Sequence, residues 1–265
     1  QFHPGDDVFG AGDGAFAEYA ACDYRSVVRL PDSLSFDTAA PLACAGTTIL
    51  TAIKACKLEK GQRLCILGGG ALGHLGVQIS KTMGFETVLV DAREPPLDLC
   101  RKLKYAPDVT FNSSKTKVDD QGSVQEAVKA CGGYSDAVIV TTDAIPAFTL
   151  GLELTKKHGL LMVVSCLSLF LTLHLQRAHA ISSAFQVGQP EPPIPIPFHH
   201  LIFRDLTIKG SLLGNPKDFR ELCELVVEKG IEVKTRAYDL KDVPQLIEDY
   251  HKDSHAGKLV VRVSE

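Results

Sequence analysis

The sequence predicts an α/β fold built on a doubly wound parallel sheet, and three observations carry that prediction. Residues 63–91 read as strand, glycine-rich turn, helix, strand and terminal acid. Strand-like and helix-like runs go on alternating as far as residue 164, the pattern of parallel strands joined by crossover helices. The turn Gly68-Gly69-Gly70-Ala71-Leu72-Gly73 has the spacing G-x-G-x-x-G and stands between a strand and a helix. Together these describe a Rossmann-type unit.

Each part of that unit has a physical reason. Arg63 to Leu67 is a short apolar run of strand type, and the glycines break it at once. Leu72, Leu75, Gly76, Val77, Ile79 and Met83 recur at threes and fours, as on one face of a helix, until Gly84. Thr87 to Val90 is a second strand ending in Asp91, 18 residues beyond Gly73. Gly68 permits the tight turn, Gly70 lets the backbone approach a pyrophosphate, and Gly73 lets the helix pack closely on the strand. With Ala71 and Leu72 at the helix start, these residues offer backbone N–H groups and the positive end of the helix dipole to phosphates. Asp91 can accept both hydroxyls of an adenine ribose. Its charge favours NAD over NADP by repelling a 2′-phosphate, although Arg93 stands close enough to soften that preference. A plain glycine turn is the competing reading, and the strand–helix–strand–acid context weighs against it.

Composition narrows the class. At 265 residues with 45 % hydrophobic side chains, the chain has material for one large domain or two small ones. A net charge of −4 with no basic run argues against a nucleic-acid surface. Of eight cysteines none forms C-x-x-C, which suggests reduced thiols in a cytoplasmic protein. The sequence reads without a signal peptide or a bilayer-length apolar run, so no membrane span is expected.

Taken in order, Gly14–Ala20 alternates as a strand, and Ser26–Leu30 reads as another, ended by Pro31-Asp32. Ser35 caps a short helix to Pro41, and a longer helical run extends from Cys44 to Lys57. Beyond Asp91 the sequence predicts a helix over Pro96–Lys104, a strand at Asp108–Phe111 and a polar loop over Lys115–Gly122. There follow a helix capped by Ser123 and running to Cys131, a strand at Ala137–Val140, a helix at Pro146–Lys157 and a strand at Leu160–Val164. Ligands of such sheets sit at the strand C-terminal ends, which places Thr141 and Val164 beside the cofactor. Later come a helix at Lys217–Lys229 ended by Gly230, strands at Val233–Asp239 and Lys258–Val263, and a helix at Val243–Tyr250.

Three stretches make the pattern specific: Asp13-Gly14-Ala15-Phe16-Ala17-Glu18-Tyr19, Ala40-Pro41-Leu42-Ala43-Cys44-Ala45-Gly46-Thr47-Thr48, and Gly69-Gly70-Ala71-Leu72-Gly73-His74-Leu75-Gly76-Val77-Gln78. With them the chain resembles the zinc-dependent medium-chain alcohol dehydrogenases, of the yeast-type branch, from about Gly5 to Val263. The resemblance implies that Cys44 is a ligand of a catalytic zinc, that Thr48 packs at the nicotinamide, and that Lys258 in Gly257-Lys258 meets the pyrophosphate. A thiolate-and-imidazole zinc with an open position would lower the pKa of a bound alcohol before hydride leaves. The remaining zinc ligands of that family have no match here, since His3 is the only early histidine, so the resemblance implies a member lacking its N-terminal portion. It also marks the Leu/Ser-rich stretch 166–188 as atypical: a surface insertion, or a translated intron, since pyrimidine-rich coding yields Leu, Ser and Phe. Arg204–Ser211 resembles the family's sixth strand, through which members associate, implying a homo-oligomer.

The expected organisation is therefore a remnant of a GroES-like β catalytic domain over 1–44, a NAD-binding Rossmann domain over 45–231, and a C-terminal return to the catalytic domain over 232–265. The function implied is NAD-linked hydride transfer with a small alcohol or aldehyde, impaired by the incomplete zinc site. A non-catalytic NAD-binding protein and a zinc-free quinone or enoyl reductase of the same superfamily are the alternatives.

Overall fold

The computed structural model describes residues 23–164, 196–250 and 256–263. Two short helical stretches lead in: α1 (Phe36–Pro41) and α2 (Thr47–Ala55), joined by a wider π-type turn over Leu42–Gly46. The sheet and its crossovers follow as β1 (Arg63–Leu67), α3 (Gly73–Thr82), β2 (Glu86–Asp91), α4 (Glu94–Arg101), β3 (Val109–Asn112), α5 (Gln121–Ala130), β4 (Ser135–Val140), α6 (Ile145–Leu154) and β5 (Thr155–Val163). The second part holds α7 (Phe198–Ile202), β6 (Thr207–Gly210), α8 (Pro216–Lys229), β7 (Thr235–Asp239), α9 (Val243–Tyr250) and β8 (Lys258–Arg262).

Six strands form one parallel sheet in the order β3-β2-β1-β4-β5-β6, and β7 and β8 pair separately, also in parallel. The order reverses between β1 and β4. Leu67 stands beside both Val90 and Val140, so the C-terminal ends of the three central strands are level. That is where an open parallel sheet leaves a crevice for a ligand.

Burial on both faces explains why the strands read as continuous apolar runs rather than alternating ones. Leu64 and Ile66 of β1 join the cluster formed with α2, α3 and α8, through Ile49, Leu75 and Leu222. Cys65 and Leu67 face the other way, onto Val128 of α5 and Phe148 and Leu152 of α6. The helical stretch Phe36–Ala55 is long and apolar enough, by length and composition, to cross a bilayer, but most of it is buried in the first cluster.

Several boundaries depart from the sequence expectation, each for a local reason. Ser26–Leu30 forms no strand: Asp23 caps a 3₁₀ turn at Tyr24–Ser26, and Val27 lies exposed. α2 begins at Thr47 rather than Cys44. Pro41 has no N–H to continue the regular ladder, and the helix widens after it. α4 starts at Glu94, with Pro95 and Pro96 in its first turn, where their missing N–H groups cost nothing. Asp120, not Ser123, caps α5, and the Ser123 hydroxyl instead accepts from the Lys117 amide. α6 stops at Leu154, where the Arg204 guanidinium takes the helix-end carbonyls of Leu152 and Glu153 and also that of Thr155, where β5 begins. The predicted strand Gly14–Ala20 and the stretch 166–188 lie outside the described residues.

β8 returns toward the start of the chain. The Arg262 guanidinium pairs with Asp37 of α1 and holds that carboxyl below its usual range. α8 is the best-marked helix: Asn215 and Asp218 form a reciprocal capping box, and Gly230 ends the helix in a left-handed conformation.

Candidate functional site

The glycine turn fills the crevice between β1 and α3. Gly68 has φ +105°, and a Cβ there would come within 2.7 Å of the Thr141 hydroxyl. That hydroxyl donates to the Leu67 and Gly68 carbonyls at 2.9 and 3.0 Å, so Thr141 braces the turn as well as bordering it. At Gly73 a Cβ would be driven into the Gly68 carbonyl oxygen. Gly70 is the opposite case: a Cβ built there meets nothing within 4 Å. Two of the three glycines thus exist for the fold, and the third leaves open space above the backbone where a diphosphate would lie.

Asp91 ends β2 beside this turn and is 8 % exposed. Its Oδ2 accepts from the Gly69 amide at 2.7 Å and its Oδ1 from the Arg93 amide at 2.8 Å, with Arg93 Nε 3.6 Å away. A carboxylate oxygen accepts more than one hydrogen bond, so this anchoring leaves capacity for ribose hydroxyls. Val164 is buried directly after β5, its amide donating to the Val140 carbonyl at 2.9 Å. The structure therefore gathers Gly68, Gly70, Ala71, Leu72, Gly73, Asp91, Thr141 and Val164 at the C-terminal ends of β1, β2, β4 and β5. The residues present fit a dinucleotide.

Thr48 and Cys44 lie toward the N-terminal helices. Thr48 is buried on α2, whereas Cys44 is exposed on the π-type turn. Among the described residues, Cys44 belongs to no group of three His, Cys, Asp or Glu side chains with metal-like spacing. A zinc ion needs three protein ligands in a catalytic site, so the described residues do not fit one at Cys44.

A trio with metal-like spacing does occur elsewhere, where Glu153, His199 and His200 bring donor atoms within 4.8 Å of one another. Arg204 already occupies it. Its Nη1 lies 3.1 Å from His200 Nδ1 and 3.4 Å from Glu153 Oε2, while His200 Nε2 faces Glu153 Oε1 at 3.4 Å. A fixed guanidinium supplies the positive charge that a cation would bring. Burial, with His199 and Arg204 adding to it, pushes the His200 imidazole down to about 4.

Sequence reasoning missed one constellation. His74 and Gln78, both fully buried, stand one turn apart on α3. Gln78 Nε2 donates to the Glu232 carbonyl at 2.8 Å, and its Oε1 accepts from the Glu232 amide at 2.9 Å. His74 Nδ1 lies 3.0 Å from the Gly70 carbonyl, and its Nε2 lies 3.4 Å from the Lys234 amide. Burial, with the Lys234 and Lys258 charges adding to it, holds the His74 imidazole at about 4. The available signal was two polar residues at helical spacing inside an otherwise apolar face. A cavity lined by Arg29, Leu30, Pro31, Asp32, Arg220, Cys223 and Glu224 includes none of the predicted site residues.

Strand order and turn define the class, a Rossmann-type α/β protein. Comparison with known proteins takes this further. The family model described as "zinc-binding dehydrogenase" matches residues 71–228. An alcohol dehydrogenase of Geobacillus stearothermophilus is 30 % identical over 253 residues, 95 % of this chain and 65 % of that protein. Alcohol dehydrogenase 1 of Emericella nidulans is 27 % identical, over 96 % of this chain and 65 % of its own length. The alcohol dehydrogenase of Aeropyrum pernix superimposes with a TM-score of 0.74 at 23 % identity, covering 94 % of this chain and 65 % of that one. Acetophenone reductase of Geotrichum candidum, solved in complex with NAD, gives 0.67 at 22 % identity, covering 88 % and 58 %. At these identities the structural likeness is one of fold. The chain belongs to the zinc-binding dehydrogenase family, the zinc-dependent medium-chain alcohol dehydrogenases, and spans just under two thirds of the curated relatives it matches.

Proposed function

We propose that this chain binds NAD(H) at the Gly68–Gly73 turn and serves hydride transfer between the nicotinamide and a small alcohol or aldehyde. The observation that supports it best is Asp91, tied at 2.7 Å to the Gly69 amide beside the open backbone of Gly70. NAD, when bound, accepts or delivers the hydride. The work of the protein is to hold it. Backbone N–H groups from Gly70 to Gly73 and the Lys258 ammonium receive the pyrophosphate, Asp91 takes the ribose hydroxyls, and Thr141 and Val164 border the path toward the nicotinamide. Thr48 is assigned to the nicotinamide by family resemblance alone. No step is routed through zinc, because among the described residues Cys44 belongs to no group of three potential metal ligands. Titration of the purified chain with NADH, followed by fluorescence, tests the reading: saturable binding, tighter than that of NADPH, is expected, and no binding would sink it.

A second reading, a dinucleotide-binding protein without turnover, is favoured because no group of three potential metal ligands includes Cys44 among the described residues. NADH binding with no alcohol-dependent NAD reduction would select it. We further propose a cytoplasmic protein, from its buried thiols Cys56, Cys65, Cys100, Cys131 and Cys223, and a homo-oligomer through the outer edge of β6. Sedimentation velocity of the chain tests the assembly, and a monomer at all concentrations would refute it.

A further inference from the structure

The Gly68–Gly73 turn and Lys258 are far apart in sequence, yet the proposed cofactor site needs both to grip one pyrophosphate. A short path of hydrogen bonds joins them. The Gly70 carbonyl can only accept, so the His74 Nδ1 beside it at 3.0 Å carries the proton. The Lys234 amide can only donate, so His74 Nε2 presents its lone pair across the longer 3.4 Å contact. The imidazole is thus neutral and paired on both sides, in keeping with its depressed pKa of about 4. The Lys234 carbonyl then accepts from the Lys258 amide at 2.9 Å, where β8 begins. A Cβ on Gly257 would come within 2.5 Å of that same carbonyl, so the chain passes Lys234 closely here. Gln78, one turn along α3, pins the neighbouring Glu232 backbone through both its carbonyl and its amide.

We infer that His74, supported by Gln78, is a positioning residue that fixes the backbone of residues 232–234, and through it Lys258, against the Gly68–Gly73 turn, so that both close on one pyrophosphate. This rests on the NAD site proposed above. A buried helix face would be filled more simply by two apolar side chains. Two polar ones, bonded to backbone of the turn and of the returning chain, set a register that non-directional packing does not.

The experiment is a double-mutant cycle on the full chain, reading NADH and ADP-ribose dissociation constants. His74→Asn reaches only as far as Nδ1, so it keeps the donor to Gly70 and leaves the Lys234 amide without its acceptor. Lys258→Ala removes the charge. We expect each to weaken NADH about tenfold, the scale of one charge-assisted hydrogen bond. In the Lys258→Ala background, His74→Asn should have little further effect, because nothing remains to position. Full additivity would overturn the inference, since a merely structural role weakens binding whether or not Lys258 is present. If His74→Asn is insoluble, the same cycle with Gln78→Met decides by the same criterion. Wild-type chain that binds no NADH at all would remove the cofactor reading and this inference with it; NADH binding with an additive cycle would remove the inference alone.

Discussion

Replacing Gly70 by Ala should separate cofactor binding from folding. A Cβ at this position meets nothing within 4 Å, and Gly70 is not among the glycines with positive φ. The native chain therefore accommodates the methyl group, while the unfolded chain loses freedom. Such a Gly→Ala change stabilises a protein by about 0.4–1 kcal/mol. In a chain of this size that raises Tm by about 1–4 °C. Binding should move the other way, because the methyl group takes the space in which the pyrophosphate approaches the backbone. Losing one charge-assisted hydrogen bond costs about 1.5–3 kcal/mol. That is roughly a 10- to 150-fold weaker dissociation constant for NADH. Gly73→Ala is the control. Its Cβ would run into the Gly68 carbonyl oxygen, so it should lower Tm outright, by about 1–3 kcal/mol of stability or more. The assays are thermal unfolding by circular dichroism and NADH fluorescence titration on both variants. A Gly70→Ala protein that is as stable as expected but binds NADH with unchanged affinity would refute the placement of the pyrophosphate. One that unfolds like Gly73→Ala would refute the geometry of the turn.

Three further outcomes are expected. Asp91→Ala should narrow the preference for NADH over NADPH and also lower stability by about 1.5–3 kcal/mol for each backbone amide it abandons, at Gly69 and Arg93; an unchanged NADH/NADPH ratio of dissociation constants speaks against a ribose role. The purified chain should hold far less than one zinc per molecule by elemental analysis, and neither Cys44→Ser nor His200→Ala should change that; a full equivalent lost in either variant shows a ligand set that the described residues do not contain. The third concerns pH. His74 and His200 both have folded pKa values lowered to about 4 from 6.5, so between these values the unfolded chain binds more protons. Their stabilising contribution is complete above pH 6.5 and is lost as pH falls toward 4, by about 1.4 kcal/mol per pH unit for each imidazole. Glu153, His199 and Arg204 surround His200, and His200→Gln should flatten its share of that slope in denaturant titrations; an unchanged slope means that His200 is protonated in the folded state.

What the sequence determined by itself lies within short stretches. The run from Arg63 to Asp91 could be read as strand, turn, helix, strand and acid because glycine spacing and apolar periodicity are local properties, and each neighbour enforces the next. The same holds for Asp91 and Thr141 at strand ends, and for Gly230 at a helix end. Where a reading needed a partner from elsewhere, sequence was silent or misleading. Ser26–Leu30 has the composition of a strand, but a strand exists only when another offers its hydrogen bonds, and none of the described strands does. The end of α6 meets Arg204, about fifty residues downstream, whose guanidinium takes the carbonyls of Leu152, Glu153 and Thr155. Gln62 and Arg63 meet Asp136, and Lys81 meets Asp108, on the same terms. The tertiary structure alone decided the strand order and the bond from the Gly69 amide by which Asp91 anchors the turn. It alone placed His74 and Gln78 between that turn and the returning chain. In each case the deciding energy is a directional bond between backbone or side chains distant in sequence. Periodicity reports which face of an element is buried, but not which distant donor or acceptor that face will meet.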